Sequence, residues 1–238
     1  MGALIVAPTY NEAESLEEFV GATLRAAPGV HLLIVDDASP DGTGALADRL
    51  AARDERIHVM HRSSKQGLGT AYVEGFAWGL ARDYQLFFEM DADLSHDPAH
   101  LASFFQAFER GADLVVGSRN ISGGRVEGWG FGRHILSKGG SLYARTILGV
   151  DVSDLTTGFK AYTRRALHAV KLQEVRSNGY AFQVETTYRA LLAGLDIREV
   201  PIVFVDRRVG HSKMSRRVFA EAVFMVIKLR WQGMRGSF

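Results

Sequence analysis

Cysteine is absent from the 238-residue chain, which excludes disulfides and thiolate metal sites and is compatible with a reducing compartment. No stretch reaches the roughly 18 uninterrupted apolar residues that a membrane-spanning helix needs. The N-terminus, MGALIVAPTYNE, lacks a basic leader region, and its short apolar run ends in a polar turn rather than a cleavage site. It is not a signal peptide, and a soluble body is expected. Charge of one sign is also missing: 28 Lys and Arg stand against 27 Asp and Glu. That balance argues against a strongly basic nucleic-acid binder, while a local basic patch stays compatible with it. No internal repeat or low-complexity linker divides the chain. One large domain with a substantial core is therefore expected.

What is present is alternation. Short apolar runs at Ala3–Ala7, Leu32–Val35, Ile57–Met60, Leu86–Met90 and Leu114–Gly117 read as strands. Between them, segments 14–26, 43–53, 69–81 and 98–110 carry apolar residues at helical spacing. Pro98 behind Asp97 suits the first turn of the last of these. Such βαβ units predict an α/β fold with a mostly parallel sheet covered on both faces. The glycine-rich stretch NISGGRVEGWGFG then reads as a long loop, 135–148 and 180–193 as helices, and Ile197–Val205 as a final strand.

A sheet of this kind places its site at the carboxyl ends of its strands. The first strand–helix turn, APTYNEAE, contains no glycine, and Gly67–Leu68–Gly69 lacks a third glycine at the right spacing. Neither G-x-G-x-x-G nor G-x-x-x-x-G-K-[ST] occurs, so both common phosphate-cradling plans are disfavoured. The strand ends carry acid instead: Glu12 beside Tyr10, then Asp36 and Asp37, then Asp91 and Asp93 in LFFEMDADLSHDP. Each cluster alone suits a turn or a cap. Three along one edge point to a ligand: carboxylates accept from ribose hydroxyls and base N–H groups. A hard divalent cation at Asp93 would reconcile them with a diphosphate.

The set APTYNE, VDDASPDGT, KQGLGTAY, MDADLSH, GSR, SDLTTGFKAY, GYAFQVE and FVDRRVGHSK resembles the dolichol- and polyprenol-phosphate mannosyltransferases, inverting enzymes of glycosyltransferase family 2. The match runs in order from residue 5 to about 215. It implies a GT-A (Rossmann-like) fold over 1–215; the pattern of the last segment adds a C-terminal amphipathic helix over 216–238, expected in the same domain. It further implies GDP-mannose as donor, polyprenyl or dolichyl phosphate as acceptor, Mg2+ or Mn2+ as cofactor, and no nucleic acid. Ala38 stands where the family commonly has glycine. Ser95 stands where some relatives have a metal-binding glutamine, so water is expected to complete the shell.

By the same resemblance, Pro8, Tyr10, Glu12, Val35 and Asp37 form the base and ribose pocket. Asp91 and Ala92 lie against the nucleotide, and Asp93, with Asp91, holds the metal. Arg119, Arg207 and Lys213 meet the donor diphosphate or the acceptor phosphate, since arginine forks pair with phosphate oxygens. Asp93, Arg119, Arg207 and Lys213 are thus the expected catalytic group. Arg133 is an acceptor candidate or a solvated side chain. Asp154, Gln183 and Glu185 shape the sugar pocket, unless Asp154 caps a helix and Glu185 is a structural ion-pair partner. His96 and His100 have the spacing of a zinc pair but read as exposed residues of a first helical turn.

The last segment, RRVFAEAVFMVIKLRWQGMRG, is too short to span a bilayer. Its flanking arginines and lysine suit an interfacial helix at a membrane surface; a buried core helix fits the same pattern. A peripheral position on the cytoplasmic side is expected, with a membrane-anchoring partner subunit or domain compatible.

Overall fold

Parallel pairing in register carries the ends of β1 (Gly2–Thr9), β2 (Val30–Asp36) and β4 (Tyr84–Glu89) to one edge of the sheet, with Thr9 opposite Asp36 and Val6 opposite Glu89. The computed structural model describes residues 2–128, 131–175, 177, 179–206 and 216–235. Between those strands lie α1 (Leu16–Ala26), α2 (Thr43–Ala51), β3 (Ile57–His61) and α3 (Leu68–Leu80). A short 3-10 turn at Pro98–His100 leads into α4 (Leu101–Glu109), and β5 (Leu114–Ser118) follows. Asp97 caps that turn, accepting from the Ala99 amide at 2.9 Å.

The alternation of side chains along each strand divides the core into two layers. Leu4, Val6, Leu33, Val35 and Phe87 pack on one face with Tyr72 and Phe76 of α3. Ala3, Ile5, Ala7, Leu32, Ile34 and Phe88 pack on the other with Phe19 of α1 and Phe104 of α4. Burial on both faces explains why these strands read as continuous apolar runs.

Beyond residue 118 the structure departs from the expected elements. The glycine-rich stretch contains a strand, β6 (Arg125–Glu127), and α5 (Phe131–Leu148) begins within its last residues. A further strand, β7 (Lys160–Thr163), runs antiparallel between β4 and β5, and α6 (Arg164–Val170) follows it. After α7 (Gly179–Leu192), the expected last strand divides at Ile202 into β8 (Ile197–Pro201) and β9 (Val203–Val205). β8 joins β5 in the main sheet, whereas β9 pairs with β6. The seven-stranded order is β3-β2-β1-β4-β7-β5-β8.

The C-terminal helix α8 (Arg216–Met234) buries one face against the domain, as a core helix does, and leaves the other face open. Val226 and Leu229 are buried in the core layer with residues of α5 and α7. Phe224 (74% exposed), Ile227, Trp231 (50% exposed) and Met234 stay open. Among the described residues, no helix is long and apolar enough to cross a membrane.

Two glycines set how close α3 lies to β1. A Cβ on Gly75 would fall 2.5 Å from Val6 Cγ1, and one on Gly79 would fall 2.6 Å from Leu4 Cδ2. Gly75→Ala should therefore lower stability in denaturant unfolding, since overpacking costs about 1–3 kcal/mol against a helix-propensity gain of about 1 kcal/mol. Unchanged or higher stability would show that the contact yields freely.

Candidate active site

Each acid-bearing strand end is locked into a tight turn. Asp36 accepts from Thr9 Oγ1 (3.2 Å), the Ser39 amide (3.1 Å) and Ser39 Oγ (2.6 Å). That geometry places Ala38 in the left-handed region at φ 55°, which explains why glycine suits the position better. The next turn is tied to it: the Glu12 amide donates to Thr43 Oγ1, and the Ala13 amide to Asp41. Lys65 Nζ lies 3.6 Å above the centre of the Tyr10 ring.

Asp37 is held by a residue that the sequence reading missed. Arg62, buried at the end of β3, donates to Asp37 Oδ1 at 2.5 Å and to Thr70 Oγ1 at 2.7 Å, and pairs with Glu74 at 3.2 Å. The Gly67 amide donates to the other Asp37 oxygen. Asp37 thus anchors the GLG turn at the start of α3. An arginine directly after a strand, beside a VDD strand end, was the available signal.

Val35 and Ala92 are enclosed in the core, so their side chains pack inside the domain and only their main chain is left for a ligand. Pro8 is half-buried near the end of β1. Asp91 is half-buried, and its Oδ1 accepts from Tyr72 Oη at 3.4 Å. Burial first, and Asp91 second, push the Tyr72 phenol well above its usual range, so it stays a donor. Asp93 is 7% exposed rather than open to solvent, and its Oδ1 accepts from the Ser95 amide at 3.0 Å. The Ser95 hydroxyl is buried without a hydrogen-bond partner.

The two histidines are neither a zinc pair nor exposed. Asp97, the extended cap of the Pro98–His100 turn, stands between them and breaks the helical spacing. His96 is 1% exposed and accepts from the Asp91 amide, whereas half-buried His100 accepts from the Val203 amide.

The cationic side is equally constrained. Arg119 is buried, and its Nε and Nη2 fork onto Asp154 at 2.7 and 2.8 Å, with Thr156 Oγ1 at 2.9 Å. Burial alone would raise the Asp154 carboxyl; the Arg119 charge and hydrogen bonds outweigh it and hold the group below its usual range. Asp154 therefore orients Arg119 and caps no helix. Gln183 donates to Glu89 at 2.6 Å inside the body, beside buried Lys160. Burial, opposed by Lys160, lifts the Glu89 carboxyl to about 7, and burial, opposed by Glu89, lowers the Lys160 amine to about 8. Glu185 pairs with Arg189 and accepts from Ser177, the structural alternative for that residue. Arg207 and Lys213 lie outside the described residues, as does the side chain of Arg133.

Among the described residues, no three His, Asp or Glu side chains form a ready-made metal cage. A hard divalent cation still fits the Asp91–Asp93 turn, where two carboxylates and the orphaned Ser95 hydroxyl stand close in sequence. Such cations keep waters and take oxygens from a phosphate ligand instead of demanding a full protein shell.

The family model described as "Glycosyl transferase family 2" matches residues 4–171. The chain belongs to glycosyl transferase family 2. Within this family it is 50% identical over 98% of its length to a polyprenol monophosphomannose synthase of Mycolicibacterium smegmatis, covering 87% of that protein. It is 48% identical over 99% of its length to an undecaprenyl-phosphate mannosyltransferase of Micrococcus luteus, covering 98% of it. Solved structures share the GT-A fold. Glucosyl-3-phosphoglycerate synthase from Mycobacterium tuberculosis, with Mn2+, UDP-glucose and phosphoglyceric acid, aligns with a TM-score of 0.67 at 17% identity, over 98% of this chain and 79% of its own. A mannosyltransferase from Pyrobaculum calidifontis, with GDP-Man and Mn2+, aligns at 0.57 and 14% identity, over 99% and 74%.

Proposed function

We propose that this family 2 glycosyltransferase moves mannose from GDP-mannose to the phosphate of a polyprenol or dolichol, inverting at C1 to give a β-linked lipid phosphate sugar. The observation that carries the reading is near-half identity over almost the whole chain to two relatives whose names share mannose and a polyprenyl acceptor. The chemistry asks for what the strand ends offer. A phosphate monoester has a second pKa near about 6 and is largely ionised at neutral pH, so it needs no strong protein base. The C1–O bond to GDP breaks as the bond to the acceptor phosphate forms on the opposite face.

The task of the protein is to hold two anionic reactants together and to stabilise the leaving diphosphate. Asp93 and Asp91, with Ser95, would hold Mg2+ or Mn2+, which supplies positive charge to that diphosphate when bound. Arg119, fixed by Asp154, is proposed as a phosphate contact beside the Asp91–Asp93 turn (the DxD turn), with Arg207 and Lys213 supplying further cations. Tyr10, Glu12 and Asp37, with the main chain of Pro8 and Val35, are assigned to the base and ribose.

The decisive assay offers purified protein Mn2+, a polyprenyl phosphate and either GDP-mannose or UDP-glucose. Lipid-linked mannose should form from GDP-mannose alone and stop on chelation. Exclusive use of UDP-glucose would replace the donor, and no turnover with any sugar nucleotide would favour a non-catalytic sugar-nucleotide-binding subunit.

A peripheral station on the cytoplasmic side of a membrane belongs to the same proposal, with or without an anchoring partner. The open face of α8 supports it: Phe224, Ile227, Trp231 and Met234 form a stripe flanked by Lys228, Arg230 and Arg235. No acid lies between residues 224 and 235, so an anionic headgroup layer complements the face. Phe224→Ser with Trp231→Ser should abolish co-flotation with anionic vesicles, since each buried side chain contributes about 1.5–3 kcal/mol. Equal flotation of the variant and the parent would remove α8 from the contact.

A further inference from the structure

His96 is the one buried histidine among the described residues that touches both the DxD turn and the strand leading to residues 207–213. Its Nδ1 accepts from the Asp91 amide at 3.1 Å. An acceptor nitrogen carries no proton, so the neutral ring bears its hydrogen on Nε2. That atom lies 3.9 Å from Asp91 Oδ2. The ring thus faces Asp91 twice, once at the backbone and once towards the carboxylate.

The faces of the imidazole are also occupied. Phe159 stacks on it with centres 5.0 Å apart, and Phe204 of β9 meets it edge-on at 5.6 Å. A backbone bridge joins His96 to Phe204, and the Val205 amide donates to Ser95 O at 3.3 Å. The Phe204 ring in turn lies 5.6 Å from the Arg119 guanidinium. Gly158 leaves room beneath: a Cβ there would sit 3.6 Å from His96 Cε1 and 3.7 Å from Asp91 Oδ2. Asp91 after β4, Phe159 before β7 and Phe204 within β9 therefore meet around one ring, and Arg119 after β5 lies against Phe204.

We infer that His96 is a positioning residue for the sugar-nucleotide site, fixing the Asp91 backbone and carboxylate while setting the DxD turn in register with β9. The residue itself touches neither donor nor acceptor. Its imidazole gives what no other side chain combines at this place: a Cγ-adjacent acceptor for a buried amide, and a flat ring that fills the gap between Phe159 and Phe204. The inference rests on the glycosyl-transfer reading only for what binds at the turn, because the ring geometry stands without it.

Two measurements test it. Long-range 1H–15N spectra of 15N-histidine-labelled protein, assigned with His96→Phe, should show His96 as the Nε2–H tautomer; an Nδ1–H tautomer overturns the inference whatever the activity. The second compares Mn2+-dependent GDP binding in His96→Phe and His96→Asn. The phenyl ring keeps the stack but strands the Asp91 amide, whereas the asparagine Oδ1 restores an acceptor near the position of Nδ1. His96→Phe should weaken GDP binding about tenfold and lower the melting temperature by only a few degrees, and His96→Asn should recover most of the affinity despite a lower melting temperature. Unchanged binding in His96→Phe, or no recovery in His96→Asn, would refute a positioning role. Parent protein that binds Mn2+ and GDP but transfers no sugar would sink the transfer reading and leave this comparison intact.

Discussion

The buried fork between Arg119 and Asp154 is the contact on which the second half of the molecule depends. Asp154 is fully enclosed, and removing either partner would leave a charge stranded in a low-dielectric interior, which costs about 3–5 kcal/mol in comparable buried pairs. The pair does more than balance charge. The Ser153 and Asp154 amides donate to Glu199 of β8 at 2.8 and 3.1 Å, so the loop that carries Asp154 is bolted to the sheet from the far side. From that anchored loop the chain enters β7, which closes the gap between β4 and β5. Lys160 is thereby set opposite Glu89 in the ladder, within the buried layer behind the DxD turn.

The same logic recurs along the edge. Asp37 is neutralised by Arg62, Glu89 faces Lys160, and Asp36 is saturated by its own turn. An edge that carries so many carboxylates would repel a diphosphate if they all faced it. Asp36, Asp37 and Glu89 are instead engaged in holding turns and the strand ladder, and the proposed cation site is the Asp91–Asp93 turn. Under the proposed function, this division lets one sheet edge serve both the hydrogen-bond donors of a nucleoside and the negative charge of its phosphates.

The parallel half of the fold was legible because burial on both faces leaves strands that are apolar without interruption, as in Ala3–Ala7. β7 was not, since its run is four residues long and opens on a lysine whose partners, Gln183 O and Thr187 Oγ1, come from a distant helix. β9 was hidden inside a longer apolar run because only the change of partner at Ile202 divides it from β8. Strand-end position located the acidic turns, but neither it nor the family resemblance showed which side chains are spoken for. Val35, Gln183 and Glu185 lie in matched motifs, yet their side chains serve the interior. His96 was misread for a local reason: the i, i+4 spacing suggested one helix, whereas the helical turn starts only after the extended cap Asp97 and leaves His96 outside it, buried.

We propose that the Asp91–Asp93 turn, and Asp93 in particular, holds the cation–diphosphate unit, while Asp36 and Glu89 serve the fold and Asp37 serves the nucleoside side of the site. Titration of Mn2+ in the presence of GDP, comparing the parent with Asp93→Ala and Asp37→Asn, addresses it directly. Asp93→Ala should remain folded and lose Mn2+ affinity by more than about tenfold. Asp37→Asn should bind Mn2+ close to normally and show its defect in nucleotide affinity or stability. Parent-like Mn2+ binding by Asp93→Ala would contradict the account.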